Sequence, residues 1–129
     1  MLENKVQNQT MLRLGALDNL LMLRNSVGAA KHYDERTARR HVVTYGLGTG
    51  SPDLVCILHV DEIDLGVWFC IETKRTDGVA RKKQLEVHQA WRAFGALVYV
   101  ADSPEEAEAA LDDALRTIRA KLHAYKAAP

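Results

Sequence analysis

The sequence predicts an α/β fold in which a central mixed β-sheet is flanked by helices. Two apolar runs, 54–58 and 67–71, lack the polar alternation of a half-exposed strand, which indicates strands buried on both faces. A third apolar run, 96–100, follows a stretch with helical periodicity. Because strands buried on both faces need helices on both sides, these runs favour a layered architecture with the element order α-β-β-β-α-β-α.

The first half of the chain predicts one helix and short strands. Apolar residues at helical spacing predict a helix over residues 2 to about 22, with residues 20–23 alternatively forming a first short strand. The polar segment 25–41 is predicted to be a loop or a frayed helix, and residues 42–45 a short strand. The predicted helical stripe consists of Leu2, Val6, Leu14, Leu17 and Leu21.

The second half predicts a hairpin followed by two helices around a strand. The polar segment 61–66 joins the two buried runs as a hairpin loop. A helix over 80–94 ends before Gly95, and the capping sequence 103–106 opens a last helix that extends to about residue 125. Inner positions are expected at Leu85, His88 or Ala90, Trp91 and Phe94, with Trp68 and Phe69 also in the core.

Length and composition indicate one globular domain over residues 1–129. The chain is 47% hydrophobic and 26% charged, and it has no apolar run long enough to cross a membrane. A basic and then apolar leader segment is also missing. The two cysteines lie in apolar runs without metal-binding spacing, and the histidines are too scattered for a zinc site. We therefore expect a protein of the reducing cytoplasm.

The formal net charge is zero, but the charges are unevenly distributed. Basic residues concentrate in 24–41 and 74–83, and acidic residues in 102–113. This distribution suits either one basic face for nucleic acid or an ordinary solvated surface. The segment 46–52 contains three glycines and a proline, but it lacks the Gly-Lys-Ser/Thr ending of a phosphate-binding loop and precedes a strand. We therefore expect no nucleotide cofactor.

Three charged residues converge in the predicted hairpin. A loop centred near residues 62 and 63 pairs residues whose numbers sum to about 125, which places Asp53 opposite Glu72. Lys74 follows two residues later on the same face. Two adjacent carboxylates repel, and a hard divalent cation with a nearby lysine suits phosphodiester hydrolysis. The alternatives are a turn-forming Asp53 and an exposed Glu72–Lys74 pair, and a register slip of one residue would separate the group.

The residues around this group resemble a known nuclease signature. Gly50-Ser-Pro-Asp53, an apolar strand and Ile71-Glu-Thr-Lys74 are similar to the PD-(D/E)xK motif. Further matching features, in chain order, are Arg24-Asn25, Tyr45-Gly46, Asp77-Gly78, Gln84 eleven residues before Gly95, and a Val-Tyr-Val strand that leads to 102–107. This series resembles the VRR-NUC branch of that superfamily from about residue 3 to residue 107. The resemblance implies a restriction-endonuclease-like core.

The resemblance also implies roles for individual residues. Asp53 and Glu72 would be metal ligands together with the backbone carbonyl of Thr73, and Glu3 on the first helix would be a further ligand. Lys74 would be the catalytic lysine, and Gln84 would join Asp53, Glu72 and Lys74 in the catalytic group. The implied cofactor is Mg²⁺, for which Mn²⁺ would substitute.

The expected function is a metal-dependent, structure-selective DNA endonuclease that cuts branched DNA such as four-way (Holliday) junctions. The resemblance to standalone phage or bacterial proteins implies a homodimer in a bacterial or phage-infected cell. The alternatives are a flap-directed or end-directed nuclease and a DNA-binding module that keeps the nuclease fold without cutting. Basic residues expected to contact phosphate are Arg39, Arg40, Arg75, Arg81, Lys82 and Lys83.

Overall fold

The computed structural model describes residues 1–129 and contains three helices and six strands. In chain order these are α1 (Glu3–Leu14), β1 (Leu20–Arg24), β2 (Gly28–Asp34), β3 (Arg39–Tyr45), β4 (Leu54–Val60), β5 (Leu65–Thr73), α2 (Lys82–Ala93), β6 (Leu97–Ala101) and α3 (Pro104–Ala127). No helix combines the length and the apolar character that a membrane crossing requires.

Four strands form the central sheet in the order β1-β4-β5-β6. The pairs β1–β4 and β4–β5 are antiparallel, whereas β5 and β6 are parallel. Helix α2 connects the two parallel strands, because a parallel pair needs a crossover and not a tight turn. The predicted fold class, a central mixed sheet flanked by helices, is confirmed.

The two faces of the sheet contribute to two hydrophobic clusters. The larger cluster packs the sheet against α1 and α3 and includes Leu14, Leu54, Ile71 and Ile118. The smaller cluster consists of Val55, Cys70 and Val98, with Trp91 of α2 and Ala96 against it. Helix α2 therefore covers only part of its face of the sheet.

The register of the β4–β5 hairpin agrees with the predicted pairing. Leu54 pairs with Ile71 and Val60 with Leu65, so the residue numbers of each pair sum to 125 (54 + 71 and 60 + 65). Asp53 directly precedes β4, and continuing the same register places it across from Glu72. The functional end of the hairpin is therefore the end where β4 begins and β5 finishes.

The first helix is shorter than predicted. It ends at Leu14, and the Gly15 N–H closes the last turn by donating to the Met11 carbonyl at 2.9 Å. Of the predicted stripe only Val6 and Leu14 are buried. The remaining leucines lie outside the packed helix face or in β1, where the chain has changed to an extended conformation.

The prediction of a loop or frayed helix over 25–41 is wrong. Residues 28–34 and 39–45 form β2 and β3, which pair as a separate two-stranded antiparallel hairpin. No residue of this hairpin is fully buried. Because neither strand faces a core, neither shows a full apolar periodicity, and the sequence predicted only the second half of β3, as the strand over 42–45.

The assignment of all four large aromatic residues to the core is wrong for two of them. Phe69 is fully buried, but Trp68 is 46% exposed and Phe94 is 96% exposed. The predicted inner position Leu85 is exposed as well. Trp68 contacts Trp91 edge to face, with ring centroids 5.4 Å apart, at the margin of the region that α2 covers.

Candidate active site

Asp53 is oriented by the strand that lies beside it. Its Oδ2 accepts hydrogen bonds from the backbone N–H and the Oγ1 hydroxyl of Thr73, both at 2.9 Å. Thr73 is the last residue of β5 and is fully buried. The two donors hold the carboxylate of Asp53 against the end of β5, next to Glu72.

Glu72 is a carboxylate enclosed by the protein, with 1% of its surface exposed. Its Oε1 accepts a hydrogen bond of 2.7 Å from Gln84 Nε2 and lies 3.4 Å from Lys74 Nζ. Its Oε2 is buried and has no hydrogen-bond partner. A buried carboxylate oxygen without a partner is costly, so this atom is suited to bind a cation.

The surroundings of Glu72 favour its neutral form. Burial, followed by the nearby charge of Asp53, raises the pKa of Glu72 to about 8, although the ammonium of Lys74 acts in the opposite direction. A divalent ion would reverse this balance because it stabilises both carboxylates in their charged forms. The donor set therefore fits a metal ion.

Glu3 on α1 supplies a third carboxylate. One ligand oxygen from each of Glu3, Asp53 and Glu72 lies within 4.8 Å of the others. The start of α1 is held at the site by Met1, whose ammonium donates to Thr76 Oγ1 at 2.8 Å and whose carbonyl accepts from Thr76 N–H at 3.0 Å. Three oxygen donors with different degrees of exposure thus converge from α1, from the residue that precedes β4 and from β5.

Gln84 connects the carboxylate to the start of α2. Its Nε2 donates to Glu72, and its Oε1 accepts the backbone N–H of Arg81 at 2.8 Å. Arg81 is the residue before the first turn of α2, where backbone N–H groups lack helical partners. One amide side chain therefore both completes the helix start and orients Glu72.

Asn25 ties the glycine-rich loop to Asp53, a role that the sequence alone did not predict. Its Nδ2 donates to Ser51 Oγ and to the Pro52 carbonyl, both at 2.8 Å, and its Oδ1 accepts from Leu47 N–H at 3.1 Å. Its own N–H donates to the Asp53 carbonyl at 2.7 Å. The sequence offered one indication of this role: an asparagine, which readily bonds to nearby backbone groups, precedes a segment rich in glycine.

Gly50 lets the same loop approach α2. Its φ is +87°, a conformation that side chains disfavour, and a Cβ there would lie 3.0 Å from the Lys83 carbonyl. The loop that carries Asp53 is thus packed directly on the helix that carries Gln84.

His88 is a second residue near the site that the sequence did not identify as functional. It is fully buried one helical turn after Gln84, and its Nε2 lies 3.9 Å from the unpartnered Glu72 Oε2. Both ring nitrogens lack hydrogen-bond partners. Burial, together with the cations Arg92 and Lys74, lowers the pKa of His88, which favours a neutral ring. The sequence indicated this position in one way: His88 follows Gln84 by four residues, which places both side chains on the same face of a helix.

The predicted DNA-contacting residues lie in two exposed groups outside the carboxylate cluster. Arg39 and Arg40 are on β3, whereas the other four lie between the end of β5 and the first turn of α2. The second group consists of Arg75, Arg81, Lys82 and Lys83. The structure therefore gathers Glu3, Asp53, Glu72, Thr73, Lys74 and Gln84 into one site and leaves the exposed basic residues around it.

Comparison with known proteins identifies the fold. No family model and no curated protein matches the sequence. A solved structure described as a VRR_NUC domain superposes with a TM-score of 0.58 and 25% sequence identity, covering 85% of this chain and 94% of that chain. The fold is that of a VRR-NUC domain. The VRR-NUC match supports a nuclease and agrees with the resemblance found in the ordered sequence motifs.

Proposed function

We propose that this chain is a metal-dependent DNA endonuclease. The observation that carries the proposal is the carboxylate cluster of Glu3, Asp53 and Glu72, in which a buried Glu72 oxygen has no partner and Lys74 lies alongside. The nuclease fold gives this cluster its context. A salt-bridge network with only a structural role would not leave a buried carboxylate oxygen unpaired.

The metal would be held by the three carboxylates together with the backbone carbonyl of Thr73. An all-oxygen donor set suits hard cations, so Mg²⁺ is the expected ion and Mn²⁺ a working substitute. When bound, the ion supplies positive charge that offsets the carboxylates and the phosphate during hydrolysis.

The protein's own side chains would position the reactants. Lys74 Nζ lies 3.4 Å from Glu72 Oε1. An ammonium has three donors, so others remain for a water molecule or a phosphate oxygen. In hydrolysis the water oxygen bonds to phosphorus, one P–O ester bond breaks, and the leaving oxygen takes a proton. Gln84 and Thr73 keep the carboxylates oriented throughout.

A homodimer acting on branched DNA is the finer part of the proposal. A row of three exposed apolar residues crosses three neighbouring strands on the face of the sheet that α2 leaves uncovered. The row consists of Leu21, Ile57 and Trp68, which are paired in register. A groove of about 620 Å³ adjoins this row between β5 and the end of α2. A second copy would cover the row by two-fold pairing and bring two sites to two strands of a junction.

A panel of DNA substrates tests the activity. Linear duplex, single-stranded, flap and four-way-junction DNA are incubated with the protein and Mg²⁺, Mn²⁺ or EDTA. We expect metal-dependent cutting, fastest on the junction, that disappears in Asp53→Asn. Tight DNA binding without cutting under any metal would instead support a non-cleaving binding module.

Sedimentation tests the proposed dimer separately. Trp68→Glu should shift the protein from dimer to monomer, because a charge would enter the apolar row. The control is Leu12→Glu, since Leu12 is an exposed leucine (78%) on α1. A wild-type protein that sediments as a monomer contradicts the dimer but leaves the nuclease proposal in place.

A further inference from the structure

The hairpin β2–β3, here called the arm (residues 28–45), is isolated from the rest of the fold. Its strands pair with each other but pack on no other helix or strand. A lone two-stranded hairpin is only marginally stable in water. An exposed arm of this kind is explained most simply if it lies against another molecule when the protein works.

The arm is basic in a neutral protein. It contains four basic residues, Lys31, Arg36, Arg39 and Arg40, against the two acidic residues Asp34 and Glu35, together with two histidines. The arm's net charge is therefore +2 (4 − 2), whereas the net charge of the whole chain is zero. This excess suits a polyanionic partner.

The two faces of the arm differ in charge. Directly opposed residues share a face, so Lys31 and Val42 lie with Tyr33 and Arg40 on one face, which carries no acidic residue. The opposite face carries Asp34 across from Arg39. Asp34 is also the acidic residue that its neighbours approach, at 3.9 Å from Arg36 and 4.0 Å from His41.

The base of the arm is joined to the active site. Asn25, just before β2, bonds to Leu47, just after β3, and to the carbonyls of Pro52 and Asp53. A partner that lies along the arm is therefore led toward Asp53. The seven residues of each strand give the arm a length of roughly 24 Å, which matches about seven base pairs of duplex.

We propose that the arm is a duplex-binding element whose Lys31–Tyr33–Arg40 face lies on the phosphate backbone next to the cut site. This inference rests on the proposed function for its substrate. A second copy is the less suitable occupant of this face, because two-fold pairing of two such faces would oppose like charges. The arm sets how tightly duplex is held and takes no part in bond cleavage.

Adjacent arginines on opposite faces provide a matched test. Arg40→Glu and Arg39→Glu make the same charge change one residue apart, but only Arg40 lies on the proposed contact face. The proposal therefore removes Arg39 from the expected phosphate contacts. Each is made in a Lys74→Ala background, and affinity for fluorescent duplex and junction DNA is measured by anisotropy over a series of KCl concentrations. Thermal melting checks that each variant folds.

Arg40→Glu should weaken binding about tenfold and reduce the slope of log affinity against log salt by about 0.9, the value for one lost phosphate contact. Arg39→Glu should weaken binding by less than about threefold with little change in slope. With Lys74 restored, half-maximal single-turnover cutting should need about tenfold more Arg40→Glu than wild-type enzyme. Shortening the duplex by about seven base pairs on the arm side should weaken wild type more than Arg40→Glu, which has already lost one of the arm's contacts.

Equal effects of the two substitutions, or no effect of either, would overturn the assignment of the face. A change in sedimentation with no change in salt slope would show that a second copy occupies the arm and would also overturn it. Because binding is measured without cutting, these results are independent of whether the chain cleaves DNA. If the wild-type protein cuts DNA but Arg40→Glu binds duplex as tightly as wild type, the proposed role of the arm is refuted and the nuclease proposal stands.

Discussion

The active site and the arm both depend on charged side chains, but they hold them in opposite environments. Glu72 and Lys74 are enclosed, with side chains 1% and 9% exposed, whereas Lys31 and Arg40 are surrounded by solvent. Two unit charges 4 Å apart interact by about 1 kcal/mol in water and about 4 kcal/mol near protein. One residue of the site should therefore decide whether cleavage occurs, and one residue of the arm should only adjust affinity.

Removing the enclosed lysine should give the largest effect. Lys74→Ala is expected to slow single-turnover cleavage about 10³-fold, because a pre-positioned cation at the reacting group is lost. DNA affinity should change by less than about threefold, since one partly enclosed charge contributes little to phosphate contacts. The control is Lys121→Ala, an exposed lysine on α3. Equal loss of activity in both variants would contradict the expected difference between the enclosed lysine and the exposed one.

The pH dependence of metal binding should show the next largest effect. Because the pKa of Glu72 is raised to about 8, the metal displaces a proton below that pH. Mg²⁺ affinity should rise about tenfold per pH unit below pH 8 and then level off. Calorimetry in buffers of different ionisation enthalpy measures the released proton. Affinity that is flat between pH 6 and about 8 would contradict the assignment of Glu72.

The same shift affects the metal-free protein in the opposite direction. The unfolded Glu72 ionises near its ordinary pKa of 4.5 and the folded one near about 8, so the free energy of unfolding should fall as pH rises between these values. Glu72→Gln removes the ionisation. Between the two pH values, the denaturant concentration at the unfolding midpoint should fall less in Glu72→Gln than in wild type. If the midpoint falls equally in both proteins, the raised pKa of Glu72 is contradicted.

Asn25 lies between the two regions and should give an intermediate effect. Asn25→Ala removes three side-chain hydrogen bonds that join the base of the arm to the loop before Asp53. We expect roughly tenfold slower cleavage and a loss of about 1–3 kcal/mol of stability. The control is Asn8→Ala on the exposed face of α1. Wild-type cleavage in Asn25→Ala would show that the loop holds Asp53 without it.

The smallest effect is expected at the turn of the arm. Arg36 is paired with Asp34 and its side chain is 93% exposed, so Arg36→Ala should change duplex affinity by less than about twofold. The measurement is the same anisotropy titration used for Arg40. A larger loss than that of Arg40→Glu would move the contact surface to the end of the arm.

The sequence predicted best where local pattern determines structure. The runs in β4 and β5 are apolar, and one short loop sets their register, so the pairing of Leu54 with Ile71 follows from counting residues. This register also places Asp53 across from Glu72. Glu3 required the family resemblance, because nothing in a helix start shows which strand ends it will meet.

The failures share a different cause, which is that burial depends on which elements pack together. Most of the arm was missed, apart from the strand predicted over 42–45, because the arm has no buried face and its strands therefore carry little periodic signal. Trp68 and Phe94 were placed in the core because the sequence does not show how much of the sheet α2 covers. His88 was set aside for lack of histidine neighbours, whereas its relevant neighbour is a glutamate from another element.

Gln84 has a consequence for how often the site is assembled. Because one amide bonds both Arg81 at the start of α2 and Glu72, fraying of that helix end also releases the carboxylate. An opening free energy of about 2 kcal/mol would leave the site disassembled in roughly 3% of molecules. Anything that stabilises or loosens the first turn of α2 would then change the population of competent molecules without touching a reacting atom.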